Sequence, residues 1–327
     1  MGIWFPNNVH PSNRVDQLAS DIEHLQSQIE QDIEQARNYD ERAIAYLDKI
    51  LKARGFKTLD DLIAEAESKL RKEDRDKYCH MKNIVQHLDD DIKLALNVGS
   101  GLMGLGAISG LSAAALGLLC CRQLVMVGFR MIAIGLIRLI SGQAETGSEI
   151  LKAAASIFSE VLKGDALVGK AATAFKVLKV FGKVLAILGI LIDAETLIWD
   201  VEETKQRDQL QKATKELCVS RLQIKMTQKY ARVTMFFSSD AKATLDYTNE
   251  LQELVDSGVM TQAKVNQKVD DKINKWIPKL KQSIDAVTEK STYDDLKKFD
   301  TNRNSWTNED PDYDCIIDKL KSIKDSN

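Results

Sequence analysis

At 327 residues the chain is long enough to bury a sizeable core, and its net charge of −3 lacks the basic excess of a nucleic-acid-binding protein. Its cysteines, Cys79, Cys120, Cys121, Cys218 and Cys315, are odd in number and fit neither a disulfide framework nor a zinc spacing, which predicts free thiols made in a reducing compartment. Proline is absent between Ser12 and Ile277 and aromatic residues are only 6%, so the composition predicts an all-α fold, an elongated bundle of long helices.

The opening MGIWFPNNVH has no basic stretch followed by an apolar one, so no classical signal peptide is expected. Pro6 occupies the position where a myristoylation motif needs Ser or Thr. From Ser12 or Asn13 a first helix is predicted. Val15, Leu18, Ile22, Leu25 and Ile29 alternate at three and four residues, the spacing of a seam against a partner helix. Ile33, Ala36, Tyr39, Ala43, Leu47 and Leu51 carry it on, and Gly55 stops it. Thr58 to Leu70 reads as a short helix opened by the cap Thr58-x-x-Asp61. The run RKEDRDK from Arg71 reads as a solvated face. A further helix takes in Met81, Ile84, Val85, Leu88 and Ile92 and is expected to continue through Asp89, Asp90 and Asp91 into a long apolar stretch.

That stretch, LALNVGSGLMGLGAISGLSAAALGLLCC, runs from Leu94 to Cys121 with no charged side chain. As one helix it would be about 42 Å long, more than the roughly 30 Å of a bilayer's hydrocarbon core. Gly99, Gly101 and Gly104 satisfy the spacing G-x-G-x-x-G. No strand precedes them and the next acid is Glu145, so close helix packing or a hairpin tip is the better reading than a dinucleotide site. Gly106-x-x-x-Gly110 and Ala113-x-x-x-Gly117 are small-residue pairs that let helices approach closely. The candidate membrane-inserting residues are Leu94, Gly99, Gly101, Leu102, Gly104, Leu105, Gly106, Ile108, Gly110, Leu111, Leu116, Gly117 and Leu118.

Arg122, Arg130 and Arg138 then recur every eight residues, which fans them round a helix by about 80° per step. SGQAETGSE reads as a turn, and Ile150 to Leu162 as an amphipathic helix. A second apolar stretch, DALVGKAATAFKVLKVFGKVLAILGILIDAETLIWD, is studded with lysine. Lys170, Lys176, Lys179 and Lys183, with Phe175 and Phe181, are candidates for a membrane-surface helix. From Ala194 to about Phe237 one long charged helix is expected, buried through Leu197, Val201, Leu210, Leu217 and Leu222 and broken at Ser239-Asp240. Helices near 241–256 and 261–288 come next, with Gly258 between them and Pro278 kinking or dividing the second. Residues 300–312 read as a polar loop and Tyr313 to Ile323 as a last helix. The pattern divides into N-terminal helices (1–93), an apolar head or hairpin region (94–192) and C-terminal long helices (193–327).

Nothing in the sequence assembles a reaction centre. Asp300-x-Asn302-x-Asn304 opens like a calcium loop, but Ser305 and Pro311 stand where that loop needs Gly and Glu. Cys79, His80 and His87 match no standard metal spacing, and no nucleophile triad or phosphate loop emerges. The expectation is a protein without enzymatic activity, cofactor, metal or small-molecule substrate. The apolar region has three readings: the permanent core of a soluble bundle, a constitutive two-helix membrane anchor, or a segment stowed in a soluble form and released into lipid. Its span-length run, hydrophilic flanks and basic neighbouring helix favour the third.

The arrangement of outer helices over 14–93 and 194–290 around a central apolar block, 94–192, resembles the α-helical pore-forming toxins of the cytolysin A type. The stretch DVEETKQRDQLQKATKELCVSRL is also similar to segments of fungal helical proteins with a comparable hydrophobic pair. The toxin resemblance implies a soluble protein that docks on a lipid membrane, inserts its apolar hairpin and assembles with copies of itself or a partner toxin subunit. With the absent signal, it implies action at a target membrane after non-classical release. This chain departs from the pattern in having two apolar blocks of different character and arginines beside the first, which leaves open which block inserts. The rival classes are a resident two-helix membrane protein and a coiled-coil adaptor with a buried apolar core.

Overall fold

The three-four seam of the first helix meets another long helix. In the computed structural model, which describes residues 6–161 and 203–325, helix α1 (Val9–Ala53) buries Val15, Leu18, Ile22, Leu25 and Ile29 along its length. It starts despite Pro11, because a proline in the first turn removes an N–H that has no helical partner. It ends at Arg54, followed by Gly55 at φ +78°. Its partner is a helix of 54 residues, α7 (Glu203–Asp256). Asn8 bonds Gln206, Asp32 bonds Gln228 and Arg54 bonds Gln252, at sequence separations of 198, 196 and 198. A near-constant separation means that the two helices run parallel in fixed register. Polar pairs inside an apolar seam set that register, since a slip would leave each partner buried without its bond.

Five helices lie between α1 and α7 in the described chain: α2 (Leu59–Lys69), α3 (Lys72–Val85), α4 (Asp90–Ser109), α5 (Ala113–Ile140) and α6 (Ala144–Ser156). A π-helical turn, Ile157–Val161, succeeds α6. After α7 come α8 (Gln262–Asp285), α9 (Glu289–Asn302) and α10 (Tyr313–Asp325), which makes ten α-helices among the described residues. The all-α bundle of long helices is as expected. The cap at Thr58 is a complete capping box with Asp61.

Several boundaries differ from expectation: α6 starts at Ala144, inside the predicted turn SGQAETGSE, and ends at Ser156, and Pro278 does not divide α8. The helix through Met81 ends at Val85 and does not run on into the apolar stretch, because Asp89 folds back as the N-cap of α4, accepting from the Asp91 N–H at 2.9 Å. The run RKEDRDK contributes the first turns of α3. No break occurs at Ser239-Asp240. Ser238 is buried and Asp240 accepts from the Trp276 indole of α8 at 2.9 Å, so residues of turn character serve tertiary contacts inside a continuous helix. Helix α9 fills the unassigned interval between the predicted helix 261–288 and the predicted loop 300–312 and takes the first residues of that loop; its Thr288–Ser291 capping box opens a polar helix that a hydrophobic pattern does not mark. Leu210, Leu217 and Leu222 are on the buried side of α7 as expected, whereas Leu197 and Val201 lie outside the described residues.

The shorter helices divide between the two ends of the α1–α7 pair. Helices α2, α4, α5 and α8 gather at its C-terminal half, and α9 and α10 clasp the N-terminal half of α7. The clasp combines buried Tyr293, Ile316 and Leu320 with an ionic network. Asp300 of α9 is fully buried and accepts from Arg14 of α1 at 2.7 Å, from Arg221 of α7 at 2.6 and 2.9 Å and from Arg303 at 2.8 Å. Arg14 also bonds Asp310 at 2.9 Å, and Arg221 and Arg303 share Asp21. Three guanidiniums and three carboxylates balance, which is what burial of charge requires. The first residue of the calcium-like loop is thus an arginine acceptor. Burial would raise the Asp300 carboxyl, but the bonds from Arg221 and Arg14 outweigh it and hold the group below its ordinary 3.8.

A folded-state pKa below the unfolded value contributes stability that is present above the unfolded pKa and disappears as pH falls through the folded one. The clasp is therefore expected to hold from neutral pH down to about 4 and to loosen below that, read as a fall in amide-exchange protection, relative to the intrinsic rate at each pH, in residues 303–312. Asp300→Asn should bring the same loosening to neutral pH.

Candidate functional site: a stowed apolar hairpin

The charge-free stretch is two helices, not the single span its length allows. Gly110 ends α4 at φ +110°, a left-handed conformation that costs glycine little, and its N–H bonds the Gly106 carbonyl. Ser112 then caps α5 by accepting from Ala115 at 3.2 Å. With 20 and 28 residues, α4 and α5 are each long and apolar enough to cross a membrane, and 78% of the most apolar window of each is buried in the bundle. Of the candidate insertion residues, Gly99, Gly101, Leu102, Gly104, Leu105, Gly106, Leu111, Leu116 and Gly117 are buried. Leu94 and Ile108 are half-buried, Gly110 is exposed at the turn, and Leu118 is 48% exposed. Lys170, Phe175, Lys176, Lys179, Phe181 and Lys183 lie outside the described residues.

The glycines are notches, and different neighbours fill them. The Gly101 notch receives Leu47 of α1, Gly104 receives Leu62 of α2, Gly99 receives Gln123 of α5, and Gly117 receives Asp74 of α3. A Cβ on Gly104 would lie 2.9 Å from the Leu62 carbonyl oxygen, so any larger residue there must push α2 away. Further along α5, Gly135 crosses Gly147 of α6, where an added Cβ on Gly147 would meet the Gly135 carbonyl at 2.7 Å. Small residues thus allow helices on several sides of the hairpin to approach its backbone, which maximises dispersion contacts.

Polar groups then tie the hairpin down at its tip, middle and base. At the tip, Lys69 donates to the Ala107 carbonyl at 2.7 Å and Asn266 of α8 to that of Ile108 at 3.3 Å, satisfying acceptors that the end of a helix leaves open. In the middle, the Tyr78 hydroxyl meets Ser100 Oγ at 2.8 Å, Gln123 donates to the Leu96 carbonyl at 3.3 Å, and Arg122 donates to the Ile277 carbonyl of α8. Arg130, 1% exposed, donates through Nη2 to Asp40 of α1 at 2.9 Å and to Ser238 of α7 at 2.8 Å. At the base, Arg138 pairs with Asp89 at 2.7 Å, joining the end of α5 to the start of α4.

Three of these partners, Asp40, Ser238 and Ile277, do not stand out in the sequence. Asp40 has a signal: it falls four residues after Ala36 and three before Ala43, on the buried stripe of α1. An acid on a core stripe calls for a buried cation, and the fan of arginines supplies one. Burial pushes the Asp40 carboxyl up from its ordinary range while Arg130 opposes the rise. With the folded-state value raised, Asp40 contributes stability that is present at low pH and declines as pH rises through that value.

Removing one member of a buried pair costs about 3–5 kcal/mol, whereas replacing both by apolar residues of similar volume is close to neutral. Arg130→Met is expected to lower unfolding stability by an amount in that range, and Asp40→Leu/Arg130→Met to restore most of it, measured by urea denaturation followed by circular dichroism. A double variant as unstable as the single one would show that the pair is not the anchor.

Comparison with protein-family models, with curated proteins and with solved structures gave no match to this chain.

Proposed function

We propose that the protein is a membrane-inserting helical protein, soluble first, that stows the α4–α5 hairpin within its bundle and delivers it to a lipid membrane. In its finer form the reading is a pore-forming cytolysin, or one component of a multi-part pore, in which inserted protomers assemble. The observation that carries it is the pairing of two span-length apolar helices, joined by an exposed glycine turn, inside a bundle whose outer surface is charged. Residues 94–121 hold the charge-free part of that pair. A stowed segment needs reasons to stay closed, and the glycine notches and the buried bonds of Arg122 and Arg130 supply them. The trigger this reading favours is lipid itself or a partner protein.

A second reading, a permanently closed all-α interaction protein, draws on the same arginines. Opening α5 would separate Arg130 from Asp40 and Ser238, and a core that never opens has no such barrier to overcome.

Leu118 separates the two readings because it is 48% exposed in the closed bundle yet belongs to the charge-free segment. Leu118→Asp should leave the soluble fold within about 0.5 kcal/mol of the parent. An acid inside the hydrocarbon core costs up to about 2.5–3.5 kcal/mol on insertion scales, the full amount only at the bilayer centre, so dye release from vesicles should fall by at most on the order of a hundredfold. No dye release from the parent with any lipid or partner tried would favour the closed-core reading, whereas equal release from parent and variant would place Leu118 outside the inserted segment.

A further inference from the structure

Helix α8 lies directly against the hairpin, with Asn266 on the Ile108 carbonyl and the Ile277 carbonyl on Arg122. Its inner side is apolar: Val265, Val269, Ile273, Trp276, Ile277 and Leu280 are buried. Its outer side carries Lys264, Lys268, Lys272, Lys275 and Lys279. At 100° per residue these five fall within an arc of about 80°, on a stripe roughly 22 Å long. Lys264, Lys275 and Lys279 are exposed, and Lys268 and Lys272 half-exposed. Some surface lysines are matched with acids, Lys229 with Asp295, Lys242 with Asp246 and Lys290 with Asp294, and on α8 itself Lys281 with Asp285. Among the described residues no carboxylate pairs with Lys264, Lys268, Lys275 or Lys279. Lys272 bonds the Ala243 carbonyl at 2.9 Å and lies over the Tyr247 ring, with its head near Asp240, Asp246 and Glu250 of α7.

The stripe begins at the end of the bundle where the hairpin turns. Arg54, Gln252, Asn266 and the Ile108 carbonyl meet there, and the loop between α7 and α8 carries Val259, 71% exposed. Gly110, Ser112, Ala113 and Ala114 are exposed at the turn itself. A basic stripe, with one acid, Asp271, at its edge, leading to an apex of small residues and Val259 is complementary to a surface that presents anions above hydrocarbon. We infer that the α8 lysine stripe is a docking surface for an anionic lipid bilayer, which brings the hairpin turn to the membrane. The net charge of −3 argues against nucleic acid as the occupant of this face. The inference rests on the membrane reading above for its purpose, but docking and insertion are separate events with separate readouts.

The test compares the full chain with Lys264→Glu/Lys268→Glu/Lys275→Glu/Lys279→Glu and with the milder set changed to Gln, after circular dichroism confirms equal helicity. Vesicles of neutral phosphatidylcholine, and of the same lipid with about a third of it replaced by phosphatidylserine to set up a negative surface potential, are used for flotation and for dye release. The parent is expected to float with the anionic vesicles, to lose binding as salt is raised, and to ignore the neutral ones. Each basic residue near an anionic surface is worth about a factor of five in partitioning, so the reversed set should bind at least roughly a hundredfold more weakly, with the Gln set between. Binding that disappears with the α8 set while the parent binds but releases no dye would sustain the docking surface and sink insertion. Dye release or binding unchanged by the α8 set, or loss only on reversing Lys170, Lys176, Lys179 and Lys183, would overturn the docking surface and leave insertion standing. Parent binding to RNA or heparin through these lysines without vesicle binding would also overturn it.

Discussion

One buried pair, Arg130 with Asp40, joins the three elements on which the C-terminal half of the bundle is built. Arg130 belongs to the hairpin, Asp40 to α1, and Ser238, which shares the same guanidinium nitrogen, to α7. An arginine in the middle of an apolar helix is tolerated only where an anion and a hydroxyl are fixed in advance to receive it. The parallel register of α1 and α7 fixes them, because Asp40 and Ser238 keep the same sequence offset as Arg54 and Gln252 further along. A one-residue slip of α7 would rotate Ser238 away and leave the charge underbonded. The register of the long helices and the seating of the hairpin are therefore one constraint.

Glycine enters the same problem from the side of packing. A Gly-rich helix is weak by itself, each glycine being about 1 kcal/mol less favourable than alanine. In α4 the deficit is offset by neighbours that come closer than a Cβ would allow: Leu47, Leu62 and Gln123 each occupy a separate notch. The helix thus depends on its surroundings. With α1, α2 and α5 in place it is fully contacted, and without them it has low helical preference and little charge to keep it in water. That dependence is the physical link between the bundle and a segment that would need another solvent if the bundle opened.

The outline of this fold is legible in the sequence where a single periodicity dominates. The seam of α1, the Thr58 cap and the apolar pair follow from residue spacing and side-chain chemistry close in the chain. The turn at Gly110 is harder to see, because the apolar stretch offers a glycine at several places and only tertiary contacts choose among them. Ser239-Asp240 is misleading because polar, turn-forming residues also suit the inside of a polar-studded helix pair, where Ser238 and Asp240 have partners on α5 and α8. Helix α9 is hidden because its attachment is ionic, through Asp300, and carries little hydrophobic signal. The α8 lysine stripe is visible in principle, since its four-four-three-four spacing is plain once a helix over 262–285 is assumed. The lysines at 170–183 stand out more strongly because their surroundings are more apolar.

Energetics decide what form of the hairpin lipid would accept. Moving Leu102 or Leu105 from the bundle core to hydrocarbon exchanges one apolar environment for another, so the hydrophobic terms nearly cancel. What does not cancel is polar. Inserted as the closed hairpin, the charge-free part of α5 runs only from Ala113 to Cys121, about 14 Å at 1.5 Å per residue, so a spanning α5 must bring Arg122 and Arg130 into the membrane. Each costs about 2.5–3.5 kcal/mol unless it is paired or faces water. If the turn at Gly110 instead straightens, Leu94 to Cys121 becomes one uncharged helix of about 42 Å, long enough to cross with tilt. Gly110 can make that change without strain because glycine occupies left-handed and right-handed conformations about equally. The straightened span avoids the arginine cost in an isolated protomer. Under the proposed membrane reading, the hairpin form would be favourable only if assembled protomers turned Arg122 and Arg130 toward a shared aqueous interior, which would couple depth of insertion to assembly through the two side chains that hold the hairpin in the bundle.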